Sequence, residues 1–165
     1  MPRDDALRLE LLALAARPGA LGNADRLWEI LDDYECWPGF RLVGVDGEHA
    51  AWLVVQLADT ELQRRALGHL EVAVDNRDAN PAHYACLVDR VRMADGREQV
   101  YGSQFVVTDG ETVAPWPIAD ALDVDHRRIR VGLPPLAWQL REMQEQFRSH
   151  GSPDWPVRSG PINSF

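Results

Sequence analysis

Lysine is missing from this 165-residue chain: all 17 of its basic residues are arginine. The absence excludes a Schiff-base lysine, a phosphate-loop lysine and a lysine general base. Cysteine is nearly as scarce, with Cys36 and Cys86 far apart in the chain. Two isolated cysteines make neither a disulfide framework nor a metal knuckle, so free thiols in a reducing compartment, the cytoplasm, are the expectation. His83 stands one turn before Cys86, but a buried, inert thiol is the plainer reading of that spacing. Long apolar runs are also absent, and nothing approaches the ~18 residues of a membrane span. Residues 6 to 20 have the look of a secretory apolar segment. Asp4 and Asp5 precede them and Arg8 and Glu10 interrupt them, however, so they read as an amphipathic helix.

Missing motifs narrow the chemistry further. There is no glycine-rich nucleotide fingerprint, no phosphate loop and no Gly-x-Ser-x-Gly elbow. None of His49, His69, His83, His126 and His150 belongs to a His-Glu-x-x-His pair. His49 beside Asp46 and Glu48, and His126 beside Asp123 and Asp125, read as solvated surface. No metal and no cofactor is expected.

What is present describes a globular chain. The length suffices to bury roughly 70% of the unfolded surface without staples. The net charge of −9 disfavours nucleic acid as a partner and is most simply a solubility feature. Helical periodicity dominates. Asp4 or Asp5 caps a first helix to about Ala16 with Leu7, Leu11 and Leu14 on one stripe. Asn23 caps a second carrying Leu27, Ile30, Leu31 and Tyr34, and Trp37-Pro38-Gly39 stops it. FRLVGVDG reads as a connection, after which Asp46 starts a third helix through Trp52 and Val55. Thr60-Glu61-Leu62-Gln63 has the form of a capping box for a fourth, and Asn80-Pro81 opens a fifth that Asp95-Gly96 ends. Asp109-Gly110 between two β-prone runs predicts a hairpin within about 99–118. Asp123 caps a short helix to Ile129, and Pro134-Pro135 introduces the last one, ending near Gly151. The expected architecture is mainly α: a compact single-domain helical bundle over 1–150 with one small β-hairpin, an α+β arrangement being the alternative. A Pro-, Ser- and Gly-rich surface tail follows over 151–165.

Four places carry polar groups suited to a site. On a continuous helix Trp52, Gln56, Asp59 and Gln63 share one side, with Asp59 as a candidate base; if the helix breaks near Ala58, Asp59 and Thr60 cap the next one instead. Asp89-Arg90 lies at the margin of an apolar face, and an exposed Asp89 to Arg92 contact is the simpler explanation. QVYGSQ clusters Tyr101, Ser103 and Gln104 before the hairpin, where a tight turn selects the same residue types. Arg127-Arg128 has the fork needed for a carboxylate or phosphate, unless Asp123 and Asp125 neutralise it.

The order QLAD, LVDRV, QVYGSQ and DVDHRRIRVGLPPL, over about residues 23–140, resembles an uncharacterised bacterial family, a domain of unknown function. Its members read Gln-His-Ala-Asp, Asp-Arg-Val, Gln-x-Tyr-Gly-Thr-Gln and Asp-x-Arg-Arg-x-x-Val-Gly-Leu. The resemblance implies that Gln56, Asp59, Asp89, Arg90, Tyr101, Gly102, Gln104, Arg127 and Arg128 belong to a shared polar centre, and it implies no substrate. Ser103 replaces the usual Thr and keeps the hydroxyl, whereas Leu57 replaces the usual His and removes the near-neutral proton acceptor.

Two functions fit. In the first, a polar pocket takes a small molecule or peptide segment: Asp59 or Asp89 accepts a proton, Gln56 and Gln104 orient the ligand with Arg90, Tyr101 and Ser103, and Arg127 and Arg128 hold an anionic group. A hydrolase, cyclase or isomerase of specialised metabolism would match. In the second, the same residues form a structural network in a non-catalytic protein-interaction module.

Overall fold

The computed structural model describes residues 3–150. The C-terminal surface tail expected over 151–165, with Trp155, lies outside the described residues. Contacts gather the chain into two units, one up to Leu87 and one from Val88 onward.

The first unit is helical. Helix α1 (Asp5–Ala15) begins where the Asp4 carboxylate accepts from the Leu7 amide at 2.9 Å, and it buries Leu7 and Leu11 chiefly against α3. Helix α2 (Asn23–Tyr34) buries Leu27, Ile30 and Leu31, each with no exposed surface and each contributing about 1.5–3 kcal/mol by burial. Its cap differs from expectation. Gly22 occupies that position, while the buried Asn23 amide donates to the Leu14 and Arg17 carbonyls and so closes the end of α1.

Helix α3 (Phe40–Val55) corrects the connection expected at FRLVGVDG. Phe40–Val43 is already helical, and the chain breaks period at Gly44, whose φ of 76° an L side chain adopts only with strain. Helix α4 (Thr60–Asp75) follows the break near Ala58 that the capping reading requires. The cap is Asp59, which accepts from the Leu62 amide at 2.9 Å. Helix α5 (Pro81–Ala94) opens as expected, with the Asn80 side chain accepting from the Ala82 amide at 3.0 Å; it begins in the first unit and ends in the second.

The second unit holds the hairpin. Strands β1 (Phe105–Thr108) and β2 (Thr112–Pro115) pair antiparallel, Phe105 opposite Pro115 and Thr108 opposite Thr112. Asp109 and Gly110 both have positive φ, the conformation whose twist suits a hairpin. A 3-10 turn over Ala121–Asp123 leads into α6 (Val124–Arg130), followed by α7 (Leu136–His150). Asp123 does not cap α6 with its side chain; it accepts from or pairs with His126 at 2.6 Å instead. Helix α7 packs on β2, closing a small core of Phe105, Val113, Met143 and Phe147 flanked by Val107, Leu136 and Leu140. The fold is thus mainly helical with one two-stranded hairpin, and among the described residues no helix is long and apolar enough to cross a membrane.

Candidate functional site

The second unit assembles most of the singled-out residues around one loop, residues 99–104. Asp89 has no exposed surface, which corrects the exposed Asp89 to Arg92 contact expected from spacing. Its carboxylate accepts from four donors: the amides of Val100 (2.7 Å), Tyr101 (3.0 Å) and Ser103 (2.9 Å) and the Ser103 hydroxyl (2.8 Å). Burial pushes its pKa above the ordinary carboxylate value, and these hydrogen bonds oppose that shift without cancelling it. Burial, reinforced by the nearby Asp89, also raises the Tyr101 phenol.

The arginines take the loop's carbonyls. Arg127 donates through Nε to the Val100 carbonyl (2.8 Å) and through one terminal nitrogen to those of Ala119 (2.7 Å) and Asp120 (3.0 Å). Arg128 has no exposed surface and donates to the carbonyls of Tyr101 (2.8 Å), Gly102 (3.0 Å) and Pro134 (2.6 Å) and to the Gln139 side chain. Of the acidic neighbours expected to neutralise the pair, Asp123 does pair with Arg127 at 3.8 Å, joined by Asp120 at 3.9 Å, whereas Asp125 accepts from the Leu136 amide.

Two glutamines complete the arrangement. Gln99 accepts from the Gln104 amide and donates to the Gln104 and Trp116 carbonyls, so its side chain behaves like an extra strand segment. Gln104 donates to the Ser103 hydroxyl at 3.1 Å. Gly102 makes the tight path possible. Its φ is +66°, and an added Cβ would lie 2.9 Å from Ile118 Cδ1. Arg90 is also buried here.

Gln56 and Asp59 belong to the first unit, at the junction of α3 and α4. The helix does break there, so Asp59 is a cap and is itself exposed. The capping box is not completed by Gln63. That buried amide reaches back instead to the carbonyls of Val55, Gln56 and Ala58, satisfying the end of α3. Leu57 is 45% exposed, so its side chain faces solvent.

Sequence reasoning missed a cluster in the first unit. Glu48, only 1% exposed, lies in hydrogen-bond contact through Oε1 with His83 Nδ1 (3.1 Å) and accepts from the Trp37 indole (3.2 Å). His83 stacks on Trp52 with ring centroids 4.9 Å apart, and its Nε2 faces His49 Nδ1 at 3.4 Å. The burial of Glu48 corrects its reading as solvated surface, whereas His49 is exposed, as expected. The one available signal was their place in an apolar helix ending in Trp52 and Val55, which buries Glu48 once the helix packs.

Two clefts each lie within one unit. A cleft of about 210 Å³ in the first has Trp37, Val72 and Ala73 as apolar wall, with Arg41, Asn76 and Asp78 among its polar groups. Its His69 is shifted below the ordinary imidazole value by burial and by Arg65. The other, about 180 Å³, lies between β2 and the end of α7 and includes Val113, Gln144 and Phe147. None of the residues proposed from sequence lines either cleft.

A helical protein with a small hairpin and a loop gripped by buried charge is the class defined by these features. The chain belongs to a family of unknown function, DUF6624, whose model matches residues 5–150. That span extends the resemblance of about 23–140 in both directions. No curated protein and no solved structure matches the chain.

Proposed function

We propose that this protein is a non-catalytic interaction module, with the second-unit motif residues as its scaffold and the first-unit cleft as a place for a peptide side chain or small molecule. The carrying observation is the commitment of Asp89, whose two oxygens serve four donors of one loop. A general base needs a lone pair directed at substrate, and a carboxylate saturated by backbone amides is a structural anchor first. Arg128 is committed in the same manner, to three carbonyls and Gln139, so an incoming anion would have to displace bonds already made.

The cleft beside Trp37 supports the binding half of this reading. It joins an apolar wall to hydrogen-bonding groups, the composition of sites that take one side chain or a small ligand. Val72 is 61% exposed, so Val72→Asp alters the wall without disturbing the core. Selection from a displayed peptide library should yield sequences that bind the native protein and lose at least tenfold in affinity to this variant. In parallel, Asp89→Asn should lower the melting temperature by several degrees. A variant that melts like the native protein would overturn the scaffold role, and selected peptides indifferent to Val72→Asp would overturn the cleft.

A further inference from the structure

We propose that His49 and His83 form a binding site for a divalent first-row transition cation, zinc, nickel or copper, with its remaining coordination positions open to solvent. The spacing is the first argument. Two nitrogens bound to zinc at the usual length and at the tetrahedral angle stand roughly 3.3–3.4 Å apart. His49 Nδ1 and His83 Nε2 are separated by 3.4 Å. A hydrogen bond between imidazoles would be shorter, in the range of about 2.7–3.2 Å usual for nitrogen donors.

The tautomer is the second argument. Glu48 is buried and its carboxylate needs donors, and the His83 tautomer with its proton on Nδ1, 3.1 Å from the carboxylate, supplies one. That leaves the Nε2 lone pair facing His49 Nδ1 at 3.4 Å, with the Asn80 amide nitrogen a looser neighbour at 3.5 Å that a cation would displace. A carboxylate on the far nitrogen of an imidazole is the usual outer support of a metal-binding histidine, fixing its ring and raising its basicity. Trp37 holds the same Glu48 oxygen, and Trp52 stacks on the His83 ring at an interplanar angle of 10°, so the ligand is oriented in advance.

The third argument is charge and access. Glu48 is a buried carboxylate whose hydrogen-bond partners are an indole and an imidazole, and a cation on His83 would offset it. His49 is exposed, which leaves an entry path and room for water. Among the described residues no set of three or more His, Cys, Asp or Glu side chains gathers for a metal. The other ligands are therefore water or a donor carried by a bound molecule. Two imidazoles without thiolate favour borderline cations over magnesium or calcium, which require oxygen donors.

Isothermal titration of the purified protein with zinc chloride and nickel chloride, magnesium chloride serving as control, tests the site. One equivalent of zinc or nickel should bind and magnesium should not. Copper or nickel should also quench tryptophan fluorescence, because Trp52 lies against a ligand ring. His49→Ala changes an exposed side chain and should weaken binding at least tenfold with the fold intact by circular dichroism. Glu48→Gln should weaken it roughly 10–100-fold, the range for loss of an outer support. His126→Ala, beside the exposed Asp123, should leave binding unchanged. Absence of zinc and nickel binding by the native protein, native-like affinity in His49→Ala, or loss of the site in His126→Ala would each overturn the proposal.

Discussion

The two units are stabilised by different kinds of interior. Among the described residues up to Leu87, twenty buried residues are apolar and five polar, while from Val88 onward the numbers are seven and seven. The first unit is therefore a hydrophobic helix assembly, most of whose polar groups cap helix ends or form exposed pairs such as Arg8 with Asp46, with the buried Glu48–His83 contact as the exception. In the second, a small apolar core around Phe105 and Met143 is supplemented by a network in which Asp89 and Arg128 hold opposite polar edges of one loop. Hydrophobic packing tolerates changes of shape at a graded cost. A buried charged group satisfied by backbone tolerates almost none, because removing it strands several partners together.

The sharpest way to break this comparison is Asp89→Ala. Four donors lose their acceptor, and the expected destabilisation is about 4 kcal/mol by urea unfolding, accompanied by loss of hydrogen-exchange protection at the Val100, Tyr101 and Ser103 amides. Asp89→Leu, which keeps the branching and the number of side-chain heavy atoms but no acceptor, should do no better, since filled space is not what is lost. In the first unit Leu70→Ala should cost about 3 kcal/mol as a cavity, while Leu70→Met, which preserves volume, should recover most of it. Rescue of Asp89 by an apolar side chain would show that the second unit's interior is hydrophobic after all. Asp59→Ala should cost about 1 kcal/mol, the usual value of a lost helix cap.

The smallest effect separates the units by the sign of their pH response. Asp89 has its folded pKa raised, so its contribution is complete below the unfolded carboxylate range and declines as pH rises through the folded value. Asp4, held by the Leu7 amide and Tyr34, and Asp46, held by Arg8, have theirs lowered. Their contributions are present above the ordinary carboxylate range and fade as pH falls through the folded values. Melting temperatures of Asp89→Asn, Asp4→Asn and Asp46→Asn relative to the native chain, measured between pH 3 and 7, should diverge in opposite directions. Parallel curves would remove the distinction.

Much of the helical framework was legible because periodicity, caps and turn residues act locally. Leu7 and Leu11, the Asn80-Pro81 start and the Asp109-Gly110 turn stand where the spacing placed them. The errors came where a side chain satisfies a distant backbone group. Asn23 looks like a cap and instead closes the preceding helix, and Gln63 looks like half of a capping box and instead closes α3. Short polar side chains suit either end of a helix, and only the packed neighbour selects one.

The site shows the same division. Local pattern and the order of the motifs determined the mainly helical class, the hairpin, the family resemblance and the polar groups of the QVYGSQ and HRR segments. Only the tertiary structure decided what those residues hold: Asp89 meets amides more than ten positions away, and Glu48 meets a histidine 35 positions on. Hydrogen bonding at such separations depends on how helices and loops pack, a property of the whole chain that no local spacing encodes.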